Sequence, residues 1–277
     1  MGQYKSTIRI YKGYLDEQNV CSDMILPILM MQSAMSIYGE CATIAEMWSL
    51  ISKCKKISRN SKDSLVELFQ KYFNDETISF DSEIKFYDDE ETSYVIISFK
   101  DVYEIVKNTR AIGDISSLLT LVLVLQSFFN GEFIYKTKNE LLQCVNEYNP
   151  YNSSFNIDKQ DTWFKYWKTK DLEDFAKNFI CYASYDYISR IRYSNDNNVA
   201  NVPLYNARTL DKRTRKLEEM GIICKVHTNY GLYSNKAVYC RVEHKEIAEA
   251  LYSQIWKNKQ LAKKKAKEPK DSEDDEY

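Results

Sequence analysis

Glycine and proline are scarce in this chain of 277 residues, seven and four in all. Sharp turns are therefore few, and regular structure is expected over most of the length. Histidine is scarcer still: His227 and His244 are the only two, so metal sites and imidazole catalysis are poorly supplied. The seven cysteines are scattered, odd in number and contain no C-x-x-C pair. They read as reduced, buried residues and not as a disulfide framework. There is no G-x-S-x-G, no P-loop, no G-x-G-x-x-G and no H-E-x-x-H; the expectation is a protein without catalytic activity, cofactor or metal. No leader pattern is visible, since Thr7-Ile8-Arg9-Ile10-Tyr11 alternates like a strand. The strongest apolar stretch, Ile115 to Phe129, carries Gln126 and falls short of the ~20 residues a membrane span needs. It reads as a buried helix, and the chain as cytoplasmic with no membrane partner. Charge of one sign is lacking as well: 38 Lys and Arg face 40 Asp and Glu, a net −2.

A hydrophobic content of 44% is enough for real cores. The most informative segment runs from Leu204 to Val242. With Leu210 at the centre of an inward face, Thr214 and Leu217 fall beside it at 100° per residue. Arg208, Lys212 and Arg215 fall opposite, with Lys216 beside them. Gly221 can take the left-handed conformation that ends a helix. Cys224 with Cys240, and Val226 with Val238, are equidistant from Leu232, as cross-strand neighbours are. Residues Asn229 to Asn235 supply turn chemistry at the tip. Eight Lys and Arg against three Asp and Glu give 204–242 a local charge of +5. Phosphate contacts need such concentration on one face, not a basic average. Helix, glycine and ribbon follow in the order in which a winged helix offers a recognition helix and a wing to double-stranded DNA. The candidate contacts are Asn206 and Thr209 at the helix start. Arg208, Lys212, Arg213, Arg215 and Lys216 follow along the helix, with Lys236 and Arg241 on the wing. The bland alternative is a solvated basic surface.

The layout appears twice. In 24–110 an apolar helix, Met24 to Ile37, precedes a capping box at Thr43-Ile44-Ala45-Glu46. A third helix is expected from about Ser61 to Phe73. A hairpin of Thr77 to Tyr87 and Ser93 to Lys100 follows, with Asp88-Asp89-Glu90-Glu91 at its tip. Asp63, Glu67 and Gln70 on that third helix would repel phosphate, so this module reads as an assembly or homodimerisation unit. The second copy, 111–148 plus 204–245, holds Ile115 to Phe129, a capping box at Thr137-Lys138-Asn139-Glu140 and the basic helix with its ribbon. The fold class expected is α+β, predominantly helical, with two winged-helix modules of three helices plus a hairpin each. The second carries a helical insertion at 149–203; an alternative parsing makes that helix the first of the module. Residues 1–23 form an N-terminal strand or arm.

In the insertion, Trp163-Phe164-Lys165-Tyr166-Trp167-Lys168 alternates aromatics with lysines. Stacking on single-stranded bases is one reading; core or partner surface is the favoured one, within helix from Trp163 to Tyr193. Residues 246–277 begin as an amphipathic helix with Ile247, Leu251 and Ile255 in register, Lys245 to about Leu261. From 257 to 270 there are seven lysines and one glutamate, and from Asp271 to Glu276 five acids. Such a tail is either a nonspecific DNA arm or a solubilising end.

Two tandem winged helices in a chain of this size resemble the replication initiators of bacterial plasmids and phages. The phrase from Thr209 to Ile223 is similar to the recognition helix of many bacterial winged helices, and the layout covers most of 24–242. The resemblance implies dimerisation by the first module and binding of origin repeats by the second. It also implies function in replication initiation or copy control, in company with replication proteins. The chain departs from that pattern in its long insertion and its unremarkable net charge. A transcriptional repressor or antirepressor with the same contacts, and a scaffold whose modules only assemble partners, are the alternatives.

Overall fold

The alternating segment at the start is a strand, β1 (Thr7–Tyr11), and its antiparallel partner is β4 (Tyr94–Ser98), with Ile10 opposite Val95. The computed structural model describes residues 7–11, 42–43, 77–78, 94–109, 112–149, 155–184, 207–226 and 236–265. The helices expected at 24–37 and 61–73, and the acidic tip at 88–91, lie outside the described residues. Two short strands, β2 (Ala42–Thr43) and β3 (Thr77–Ile78), pair with each other.

Among the described residues β3 pairs with β2 and β4 pairs with β1; residues 79–93 of the hairpin expected at 77–100 lie outside the described residues. The second strand ends early. Ser98 accepts a hydrogen bond from the Asp101 N–H (3.0 Å) and caps a helix, α1 (Phe99–Asn108). The cap satisfies an amide that the first turn would otherwise leave unpaired.

The apolar stretch forms α2 (Ile112–Gln126), and Leu118, Leu119 and Leu121 to Leu125 are all buried. It is apolar all round because it is enclosed all round. No helix among the described residues is long and apolar enough to cross a membrane. α3 (Lys138–Glu147) starts at the Thr137 box: Thr137 Oγ1 accepts from the Glu140 N–H (3.3 Å), and Glu140 Oε2 accepts from the Thr137 N–H (2.6 Å). A 3₁₀ turn, Gln160–Thr162, leads to a short helix, α4 (Thr169–Ala176).

Of the helix expected over Trp163 to Tyr193, the described residues form only α4: 163–168 is not helical, and at Ile180 a strand begins, β5 (Ile180–Ser184). Instead of standing apart as a helical insertion, this segment supplies one edge of a three-stranded sheet. The order is β5-β7-β6, with β6 (Ile223–Lys225) and β7 (Lys236–Arg241). All pairings are antiparallel, Ile180 and Cys224 both lying opposite Cys240. Between β5 and β6 in sequence lies the basic helix, α5 (Ala207–Glu219); after β7 a 3₁₀ turn leads to α6 (Lys245–Lys265).

The sheet is covered on both faces. Ile180, Cys224, Val226, Val238 and Cys240 join a core with Ile247, Leu251 and Ile255 of α6 and an aromatic cluster. There Trp167 and Phe179 each meet Phe175 edge-on at 5.5 Å, a favoured geometry for rings. On the other face Cys181, Ile223, Tyr239 and Arg241 are equally buried. Cys144, Cys181, Cys224 and Cys240 are buried and unlinked. The described residues are thus α+β and mostly helical, with one three-stranded sheet and two strand pairs.

Candidate nucleic-acid interface

α5 is anchored from three sides. Leu210, Thr214 and Leu217 are buried, and Thr214 Oγ1 donates to the Leu210 carbonyl (2.9 Å). This is the face that the helical period predicts. The helix closes at Gly221, whose φ of +73° lies in the left-handed region. Its N–H donates to Glu218 O and the Ile222 N–H to Leu217 O, both at 2.9 Å. The reversal carries the chain directly into β6, so helix and sheet are joined by a single rigid turn.

The flanks are held by ion pairs. Lys225 of β6 reaches Asp211 (3.0 Å), and Lys245 of α6 reaches Glu218 (2.6 Å). Arg213 turns toward α2: it bonds Asp114 Oδ1 (2.9 Å) and the Asp114 carbonyl (3.4 Å). Three residues after Leu210, Arg213 lies on the flank of the inward face, not on the outward one. Of the helix's three acids, Asp211 and Glu218 are therefore engaged from the flanks, and Glu219 is exposed at its end.

Arg208, Lys212 and Arg215 remain on the outward stripe, all exposed. None has an acidic partner among the described residues, and neither does Lys216, half-buried at the margin. Thr209 is half-buried as well. The three stripe residues are spaced i, i+4, i+7 and cover about 10 Å of axis. Cations at that spacing, followed by the exposed Glu219 at the helix end, on a helix fixed from behind, can meet successive phosphates or base edges. Asn206 lies outside the described residues; of Lys236 only the backbone is described, opposite Ser184.

Arg241 requires a correction. It was expected on the wing surface, free for phosphate, but its side chain is only 3% exposed. Nη1 donates to Asp101 Oδ2 (2.6 Å), Nη2 to Asp101 Oδ1 (3.3 Å) and to Glu243 Oε1 (3.2 Å). The guanidinium lies 4.7 Å from the centre of the Tyr135 ring. Tyr135 in turn donates to Asp101 Oδ2 (3.0 Å) and accepts from the Ser98 N–H and Gln126 Nε2. Burial and the Asp101 carboxylate push the Tyr135 hydroxyl up, so it stays protonated and donates. Burial pushes Arg241 down, but its bonds to Asp101 and the charges of Asp101 and Glu243 outweigh this and hold it charged. The physical reason for the misplacement is coverage: an isolated hairpin would leave this face to water, whereas α1 covers it.

Sequence reasoning missed Asp101 as a partner and α1 as a helix. A signal existed, since Ser98-Phe99-Lys100-Asp101 has the spacing of a helix start. The aromatics of 163–167 fall as favoured, with Trp163, Phe164 and Trp167 in the core. No family model, no curated protein and no solved structure matches the chain.

Proposed function

We propose that the chain binds double-stranded DNA sequence-specifically, with α5 as recognition helix and β6–β7 as the base of the wing of a winged helix. The role is replication initiation or copy control of a plasmid or phage. One observation carries the reading: on α5, Asp211 and Glu218 are tied to Lys225 and Lys245, while Arg208, Lys212 and Arg215 stand exposed with no acidic partner among the described residues. A helix of this kind fits the major groove. Support also comes from the sheet order β5-β7-β6, because the ribbon that follows α5 is backed by a third strand and cannot swing freely. Homodimerisation through the N-terminal part belongs to the same proposal.

The test is fluorescence anisotropy of the full chain with labelled duplexes tiling the DNA around its own gene, across a salt series. Expected is tight binding to one fragment, with the logarithm of affinity falling linearly with the logarithm of salt. Arg215→Ala costs about 1–3 kcal/mol on that fragment if it reads a base. Equal loss on every duplex reduces Arg215 to a phosphate contact. Absence of salt-sensitive affinity overturns the proposal, and the scaffold reading takes its place.

A further inference from the structure

α6 outruns the core on which it begins. Ile247, Leu251, Tyr252 and Ile255 are buried, whereas Leu261 to Lys264 are exposed, Leu261 at 58%. This end is helical because Lys, Gln, Leu and Ala are good helix formers. Lysines in a last turn also complement the helix dipole, but that does not account for Lys257, two turns back.

A second basic element lies beside it. The corner from Trp163 to Lys168 sends Trp163, Phe164 and Trp167 into the core. Lys165 and Tyr166 stay outside, the Lys165 ammonium 5.3 Å from the Tyr166 ring and Tyr166 51% exposed. One contact joins corner and helix, Asn258 Nδ2 donating to the Trp167 carbonyl (2.8 Å), and Lys259 pairs with Glu173 of α4 just beyond it (2.7 Å). Together 163–173 and 257–264 carry seven lysines and two acids, and Glu173 is already taken. Lys257, Lys263 and Lys264 have no acidic partner among the described residues.

Like charges on neighbouring elements repel one another, and a polyanion relieves that repulsion. From this we infer that Lys165, Tyr166, Lys257, Lys263 and Lys264 form a second DNA contact, to the phosphate backbone of duplex beyond the stretch met by α5. Lysine ammoniums are point charges that take phosphates without reading bases. The exposed Tyr166 ring packs on sugar between them. The patch adds affinity without sequence information, and the inference rests on the reading of α5 given above.

The experiment compares the full chain with Lys257→Gln/Lys263→Gln/Lys264→Gln and with Arg215→Ala, on the preferred duplex and an unrelated one of equal length. All three lysines are exposed, and an unchanged melting temperature checks that the fold is kept. Expected for the triple variant is the same fold-loss on both duplexes. The slope of log affinity against log salt becomes shallower by roughly two to three, since each lost phosphate contact removes about 0.9. Arg215→Ala instead lowers the ratio of preferred to unrelated binding. An unchanged slope in the triple variant, with Arg215→Ala still defective, overturns the patch and leaves α5 standing. Loss in the triple variant with Arg215→Ala and Lys212→Ala unaffected overturns the reading of α5 and leaves the patch as the DNA surface. Binding of the wild type to phosphatidylglycerol vesicles, weakened by the triple variant while duplex binding is not, overturns the patch in favour of a lipid surface. Absence of any salt-sensitive duplex binding overturns both.

Discussion

Arg241 shows how one residue can look like a functional cation and be a structural one. Its partner Asp101 lies 140 positions upstream, and no local pattern announces it. The side chains are 3% and 4% exposed. Arg241→Ala would strand Asp101 in the interior, which costs about 3–5 kcal/mol for a buried pair broken on one side. Chemical denaturation should show this loss, and the double variant Asp101→Leu/Arg241→Met should recover much of it, because no buried charge is then left alone. A loss below about 1 kcal/mol for Arg241→Ala would mean that water reaches the pair. His244, three residues on, behaves differently. Its Nε2 lies 2.8 Å from the Lys136 carbonyl; a carbonyl only accepts, so Nε2 carries the proton. Burial depresses its pKa below the usual value. The unfolded chain therefore binds the proton first, near pH 6.5. Stability conferred by the neutral ring is present above that pH and is lost as pH falls toward the depressed folded value. His244→Gln should lower stability at neutral pH by about 0.5–1.5 kcal/mol if its bond to Lys136 is lost. It should also flatten the decline below pH 6.5, read from denaturant midpoints at successive pH values. An unaltered decline would assign it to other groups.

At the scale of elements, Gly221 is the most exacting position. At φ +73° an added Cβ meets nothing within 4 Å, so the penalty of a side chain there is backbone strain alone, about 1–2 kcal/mol. Gly221→Ala should destabilise by that amount, and Gly221→Asn by less, because asparagine tolerates the left-handed region. Equal losses would point to packing instead. This position was legible in the sequence for the reason that makes it costly: a glycine directly after a periodic basic helix has a local cause. The same holds for the Thr137 box and for Leu210, Thr214 and Leu217, whose spacing alone sets their face. Likewise Cys224 lies opposite Cys240, because cross-strand register follows from symmetry about a turn. β5 was not legible. Ile180-Cys181-Tyr182-Ala183 belongs to a short strand covered on both faces, so it lacks the alternation that marks a strand, and a short apolar run of this kind reads equally as helix. The pairing of β1 with β4 was hidden too, since more than eighty residues separate them, and nothing local selects a distant edge.

For the whole molecule, net charge is a poor guide, and placement is the better one. The chain carries −2 overall, yet the acids Asp211 and Glu218 of α5 are held at its flanks, and the stripe of Arg208, Lys212 and Arg215 is left uncompensated. Glu219, exposed one turn after Arg215, is the one acid on that line, and the three cations before it repel one another, a small cost that a DNA ligand would offset. This gives a test that separates a binding face from an ordinary solvated one. Lys212→Gln and Arg215→Gln should leave the denaturant midpoint within about 0.5 kcal/mol of the parent, or raise it, while duplex affinity falls and its salt dependence flattens. Arg241→Ala, by contrast, should lose stability first, with any loss of affinity following from unfolding. If the stripe variants lose more than about 1 kcal/mol of stability, the face is packed against another part of the chain or a second copy, and α5 is an assembly surface instead of a DNA reader.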